Sequence, residues 1–218
     1  MERDKIFRDT ENFYLEMEGA LSRLLVNFAC EHAGDTILDI GCATGEYCNA
    51  LKKAGFKCTG VDINREYVKR ANEKGITAYV MNGNNIEFQD NSFDTVLLFE
   101  VLEHVADPSS ILNEAKRVAK RNILITVPNC TEFFELKKFG LTYEHLLEMD
   151  HVNFFTKNDL EELLSKNFSK FKVEEKEPLG LGAINLPWIL KYPVLLMHKL
   201  KLIKSNIYYR LYAVVEVD

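Results

Sequence analysis

Ile37-Leu38-Asp39-Ile40-Gly41-Cys42-Ala43-Thr44-Gly45, followed further on by Gly60-Val61-Asp62, is the stretch on which the reading of this chain turns. An apolar run that meets an acid and turns through glycines into a helical pattern reads as a parallel strand, a tight loop and a helix N-terminus. Glycine lets backbone approach a ligand where a Cβ would collide. An acid ending the next parallel strand can accept hydrogen bonds from both hydroxyls of a ribose. Asp62 falls 21 positions after Gly41, which suits that role. The glycine spacing narrows the ligand further. A dinucleotide loop needs G-x-G-x-x-G, whereas counting from Gly41 gives Ala43 and then Glu46. A carboxylate there would repel a pyrophosphate at the helix N-terminus. No Lys-Ser or Lys-Thr pair follows Gly45 to make a phosphate-binding loop. The expected ligand therefore has a ribose and no phosphate.

Outward from this stretch, strands and helices alternate. Met17, Leu21, Leu24 and Phe28 recur at helical spacing and predict an amphipathic helix leading into the fold. Glu46 to Ala54 reads as a helix closed by Gly55, and Asn64 caps a helix that runs toward Gly75. Ile76 to Val80, Thr95 to Phe99 and Asn122 to Val127 read as the third, fourth and fifth strands. Asp107-Pro108 starts the intervening helix, with proline at its first position. Thr156 to Leu164 opens on a Thr-x-x-Asp cap, and Phe171 to Lys176 and Ile207 to Val217 supply two more strands. Such βα alternation implies an α/β, Rossmann-like fold, a parallel sheet with helices on both faces.

The 218 residues suit a single domain over 1–218, with 1–35 as leading helical sequence. A formal net charge of −6 argues against a general nucleic-acid binder, which needs a concentrated basic face. The five cysteines, Cys30, Cys42, Cys48, Cys58 and Cys130, are odd in number and lack C-x-x-C pairing, so a reducing cytoplasm is expected and a disulfide framework or zinc site is not. The N-terminus carries no apolar signal core, and no apolar run is long enough to span a membrane.

Asp39-Ile40-Gly41-Cys42-Ala43-Thr44-Gly45, Gly60-Val61-Asp62, Asn91-Ser92-Phe93-Asp94 and Glu100-Val101-Leu102-Glu103-His104, in that order, resemble successive motifs of the class I S-adenosylmethionine-dependent methyltransferases. The small-molecule branch that includes ubiquinone-type O-methyltransferases is the most similar. The likeness runs from Thr36 to Val127 and more weakly to Phe171. It departs at Ala43, where the family most often has its middle glycine, and at Asn82, where an acid often accepts from the adenine amino group. An amide oxygen can accept in the same way. The resemblance implies a seven-stranded sheet with one antiparallel strand near its edge, S-adenosyl-L-methionine as cofactor, and methyl transfer to a small molecule at oxygen. Two other classes stay open: a catalytically silent binding protein on the same fold, and a nicotinamide-dependent oxidoreductase, which the glycine spacing disfavours.

Carried onto this sequence, the resemblance assigns Gly41, Cys42, Ala43 and Gly45 to backbone contact with the amino-acid and sulfonium end of the cofactor. Asp62 takes the ribose diol, Ile63 forms an apolar platform for adenine, Asn82 and Gly83 meet the adenine edge, and Phe99 lines the methionine part. Asp39 is expected to fix the loop through backbone amides. A hydroxyl nucleophile must lose a proton, and His104 and His151 are the candidate bases. For Glu100, Glu103 and His104 three readings compete: pocket lining, proton transfer by His104, and a divalent metal held by all three. Two long connections, 129–152 with Phe133, Phe134, Phe139 and Tyr143, and 178–205 with Trp188, read as lids. The second holds four lysines and no acid around an apolar run, which suits a lipophilic substrate or peripheral contact with a membrane.

Overall fold

The computed structural model describes residues 21–130, 151–178 and 208–217, together with Tyr192, Pro193, Leu196, Met197 and Leu200. Its strands are β1 (Thr36–Ile40), β2 (Lys57–Asp62), β3 (Thr77–Val80), β4 (Phe93–Phe99), β5 (Ala119–Pro128), β6 (Phe171–Pro178) and β7 (Tyr208–Glu216). The helices are α1 (Arg23–His32), α2 (Glu46–Lys53), α3 (Arg65–Glu73), α4 (Pro108–Val118) and α5 (Lys157–Ser165). The strands form one seven-stranded sheet in the order β3-β2-β1-β4-β5-β7-β6. β1 to β5 pair in parallel, and β7 runs antiparallel to both β5 and β6. The order reverses direction between β1 and β4, so a crevice opens at their carboxyl ends, where ligands of open α/β sheets bind.

The apolar runs are continuous because both faces of the sheet are covered. Leu38, Val96, Leu98, Ile123 and Ile125 pack with Ile111, Leu112, Ala115 and Val118 of α4 and with Leu160 and Leu164 of α5. The alternate residues Ile37, Leu97, Phe99 and Leu124 meet Leu25, Phe28 and Ala29 of α1 and Leu51 of α2 on the other face. Helix ends follow the local chemistry. Asn64 Oδ1 accepts from the amides of Glu66 (2.9 Å) and Tyr67 (3.2 Å), Asp107 Oδ1 accepts from those of Ser109 and Ser110, and Thr156 with Asp159 forms a capping box. Gly55 closes the turn after α2 at a φ of +101°.

Two expectations need correction. The leading helix buries Leu25, Phe28 and Ala29, while Leu24 is 54% exposed, so the expected stripe is displaced by one residue at that position. The sheet meets the face spanned by residues at i, i+3 and i+4 from Leu25, and Leu24 lies about 100° round the helix from it. Met17, Phe13 and Tyr14 lie outside the described residues. β4 and β5 also begin earlier than their apolar runs suggest, at Phe93 and Ala119. Polar residues hide the extension: Asp94 Oδ2 accepts from Thr36 N (3.0 Å) and Thr36 Oγ1 (2.8 Å), and Thr36 Oγ1 accepts in turn from Asp94 N (2.9 Å).

Candidate functional site

The loop after β1 is built by positive backbone angles. Gly41 (φ +78°), Ala43 (φ +46°) and Gly45 (φ +79°) all lie in the left-handed region, and Gly45 also caps α2. The amides of Gly41 and Cys42 both donate to Val61 O, at 2.8 and 3.1 Å, so the loop is tied to β2. A Cβ on Gly41 would stand 2.8 Å from Val101 Cγ2, which brings the turn after β4 against this loop. On Gly60 it would meet Cys42 Sγ at 2.5 Å. Glycine is required at both places by close approach, and at Gly41 by its backbone angle as well.

Asp62, ending β2, holds the loop from the side. Its Oδ2 accepts from Ala43 N (2.9 Å) and its Oδ1 from Asn64 N (2.8 Å), while burial raises its pKa above the ordinary carboxylate value. A carboxylate has about four lone-pair sites, and with the Ile63 amide also against Asp62 there is room for a further donor. Asp39 does not play the loop-fixing part expected of it. Its side-chain hydrogen bond among the described residues comes from Cys48 Sγ, at 3.6 Å to Oδ2. β1 pairs Asp39 with Gly60, inside the sheet rather than under the loop, and the amide-holding carboxylate is Asp62 instead. Burial pushes the Asp39 carboxyl up to about 7, the Cys48 thiol pulls against it, and nearby Asp62 adds to the rise.

The residues expected around an adenine lie along one rim. Ile63 is 69% exposed, an apolar side chain left facing solvent beside Asp62. Asn82 is exposed after β3, with its Oδ1 accepting from Asn84 N at 3.3 Å. Gly83 lies close behind, where a Cβ would press on Ile40 Cγ2 at 3.1 Å and Ile111 Cδ1 at 3.3 Å. Phe99 is buried in an aromatic group, stacked on Phe28 (centroids 6.1 Å) and edge-on to Tyr47 (5.5 Å). Burial pushes the Tyr47 hydroxyl up to about 12.

His104 and His151, distant in sequence, are brought together with ring centroids 4.7 Å apart. His104 sits on a 3-10 turn, Leu102–His104, directly after β4. Val152 N and Asn153 N donate to Glu103 O at 2.8 and 3.0 Å, and Asn153 Nδ2 donates to Leu102 O and Val105 O, which staples the His151 segment to that turn. The set of residues able to hold a metal therefore differs from the one expected. Glu103, His104 and His151 each offer a ligand atom within 4.8 Å of the others, and Glu100 is not among them. Glu100 adopts a φ of +53° and turns toward β7, where its Oε2 lies 3.1 Å from Arg210 Nε. A carboxylate with two imidazoles suits a transition metal better than Mg²⁺.

Arg210 is the part of the site that the sequence did not single out. Its Nη1 donates to both oxygens of Glu177, at 2.8 and 2.7 Å, and Tyr212 Oη donates to Glu177 Oε1 at 2.6 Å. Burial works against the guanidinium charge, but Glu100 and Glu177 more than offset it and its pKa is raised. One signal existed, a lone arginine inside an otherwise apolar and aromatic strand, Tyr208-Tyr209-Arg210-Leu211-Tyr212. Of the expected lids, residues 131–150 and most of 178–205, Trp188 included, lie outside the described residues. The ends of the first connection are clasped together, with Cys130 N donating to Phe155 O at 2.8 Å. Of the second, Tyr192 and Leu196 are exposed. Among the described residues no helix is long and apolar enough to cross a membrane.

A family model described as a methyltransferase domain matches residues 13–168. An uncharacterized protein of Methanocaldococcus jannaschii is 31% identical over 83% of this chain and 91% of its own length. A ubiquinone biosynthesis O-methyltransferase of Albidiferax ferrireducens is 30% identical over 44% of the chain, which spans 41% of that relative. Norajmaline N-methyltransferase of Rauvolfia serpentina is 35% identical over 38% of the chain and 32% of its own length. Among solved structures, a Thermotoga maritima protein described as a SAM-dependent methyltransferase and possible histamine N-methyltransferase has a TM-score of 0.66 at 20% identity, covering 95% of this chain and 97% of that one. Magnesium protoporphyrin IX methyltransferase of Synechocystis, solved with bound S-adenosylhomocysteine, has a TM-score of 0.56 at 18% identity, covering 88% of this chain and 80% of that one.

Proposed function

The chain belongs to the class I S-adenosylmethionine-dependent methyltransferases, and we propose that it methylates a small molecule at oxygen. The residues fit the cofactor on one observation above all. Asp62 is clamped at the end of β2 between the amides of Ala43 and Asn64, beside a left-handed loop, with acceptor capacity left over for the ribose. When bound, the cofactor supplies an electrophilic methyl group on a cationic sulfonium, open to in-line displacement. Gly41, Cys42, Ala43 and Gly45 then present backbone to its amino-acid end, and Ile63, Asn82 and Gly83 receive the adenine. Phe99 borders the methionine part. Asp62 adds a negative field that favours a cation in the crevice.

Positioning of the nucleophile is the main work, since holding it collinear with methyl and sulfur and excluding water can lower a barrier by several kcal/mol. His104 or His151 removes the hydroxyl proton, and their contact supports this role. Connections 129–152 and 178–205 cover the substrate, the second through its apolar run, which also suits a lipophilic substrate or a membrane surface. In that case the protein pellets with anionic vesicles, less so at high salt. A reducing cytoplasm suits the five free thiols. Nitrogen is the second reading, favoured by the similarity to norajmaline N-methyltransferase. The two are separated by incubating the protein with methyl-labelled cofactor and either catechol or tyramine. A labelled methyl at the chemical shift of an aryl ether supports oxygen, and one at that of an amine overturns it.

A further inference from the structure

Two of the positive-φ residues outside glycine, Glu100 (φ +53°) and Glu177 (φ +59°), are the two carboxylates that grip Arg210. Left-handed backbone at a non-glycine residue costs free energy and persists where its surroundings hold it, often at functional sites. The two glutamates are satisfied unequally. Glu177 receives Arg210 Nη1 on both oxygens and Tyr212 Oη on one. Glu100 Oε2 lies 3.1 Å from Arg210 Nε as an ion pair without hydrogen-bond alignment, and both Arg210 Nε and Glu100 Oε1 are buried with no hydrogen-bond partner among the described residues. A buried carboxylate oxygen is a strong acceptor that calls for a donor.

Its place in the fold indicates where that donor comes from. Glu100 directly follows β4, its amide donates to Thr126 O of β5 at 3.0 Å, and the next residue, Val101, abuts the Gly41 loop. Arg210 pairs in register with Pro128 at the end of β5, so it stands at the same carboxyl edge of the sheet. Phe99 and Tyr47 meet at 5.5 Å, and Phe28 and Tyr212 at 4.7 Å, in the core packed behind this edge. Two carboxylates and one guanidinium leave the group with a net negative charge.

On the reading above of a methyltransferase for small molecules, we propose that Glu100 Oε1 accepts a hydrogen bond from a hydroxyl or amine of the methyl acceptor. The acceptor is then a neutral or cationic hydrogen-bond donor, and a carboxylate-bearing one is disfavoured. Arg210 is the positioning residue. Its fork, held by Glu177, which Tyr212 holds in turn, keeps Glu100 Oε2 on the guanidinium and leaves Oε1 for the acceptor to reach. Lysine in its place keeps the charge and loses the two-sided grip.

The test uses full-length protein saturated with S-adenosylhomocysteine and titrated calorimetrically with three probes that share a dihydroxyphenyl ring: catechol, dopamine and 3,4-dihydroxybenzoate. Catechol and dopamine are expected to bind at least ~10-fold more tightly than dihydroxybenzoate. Glu100→Gln should bring the three within about threefold while leaving S-adenosylhomocysteine affinity unchanged, a pattern a purely structural role would not give. Arg210→Lys should weaken catechol and dopamine together. Dihydroxybenzoate binding as tightly as the others, discrimination that survives Glu100→Gln, or binding of none of the three overturns the assignment. Failure of S-adenosylhomocysteine to bind defeats the methyltransferase reading first and this proposal with it, whereas its binding beside charge-blind probes defeats the Glu100 assignment alone.

Discussion

The imidazoles of His104 and His151 meet edge to face at 4.7 Å, and the backbone bonds from Val152 and Asn153 to Glu103 O hold the second ring against the turn that carries the first. If one of the two is the base for a hydroxyl acceptor, replacing it by Gln lowers the rate by roughly 10²- to 10⁴-fold. Replacing its neighbour should change the rate much less. Full activity in both variants would leave positioning as the mechanism.

A chelator is expected to leave wild-type activity intact, because the proton-transfer account uses no metal. Loss of activity on chelation, restored by a divalent cation, would reassign Glu103, His104 and His151 as ligands.

Asp39 gives a pH-dependent stability with a definite sign. Its carboxyl titrates near 3.8 when unfolded and at about 7 in the fold, because burial disfavours the charge. Below pH 3.8 both states hold the proton, and the contribution to stability is fully present. As pH rises toward 7 the unfolded chain releases its proton first, so stability falls, by at most about 4 kcal/mol at 1.36 kcal/mol per unit. Asp39→Asn should flatten the thermal midpoint between about pH 4 and 7 and raise it at neutral pH, by up to about 10 °C for a chain of this size. An unchanged slope would mean that another group carries the dependence.

Gly60 and Cys42 touch where β2 passes under the loop, and a Cβ on Gly60 would fall 2.5 Å from Cys42 Sγ and 2.9 Å from Cys42 Cβ. Gly60→Ala should cost about 1 to 3 kcal/mol of stability through overpacking. Adding Cys42→Gly should return part of that loss, which a double-mutant cycle in denaturant reads directly. Strict additivity would show that the loop gives way elsewhere.

The fold was legible because its signals are local. The apolar runs of β1, β4 and β5, the caps at Asn64, Asp107 and Thr156 and the closing glycines each fix one element without reference to the rest. That one strand near the edge runs antiparallel came only through the family likeness, and that it is β7 came from the structure, since pairing partners leave no mark in a single strand. Side-chain partners across the sheet were the least legible part of the site. Glu100 sits three residues before Glu103, as a shared metal would suit, yet its left-handed backbone sends it to Arg210 on β7, far away in sequence. His151 joined His104 through Asn153, whose amide bonds to Leu102 O and Val105 O could not be foreseen from its neighbours. Asp39 was expected to fix the loop and Asp62 to hold the ribose, yet the loop amide of Ala43 goes to Asp62, and Asp39 pairs with Gly60 inside the sheet.

The most direct test of the account is calorimetric titration of the protein and its Asp62→Ala variant with S-adenosylmethionine and, separately, with NAD. The account predicts that S-adenosylmethionine binds the wild type, that NAD does not, and that Asp62→Ala weakens the former by about 1 to 3 kcal/mol, the loss of charge-assisted hydrogen bonds to the ribose. NAD binding, or an Asp62→Ala protein with unchanged affinity for S-adenosylmethionine, would contradict it.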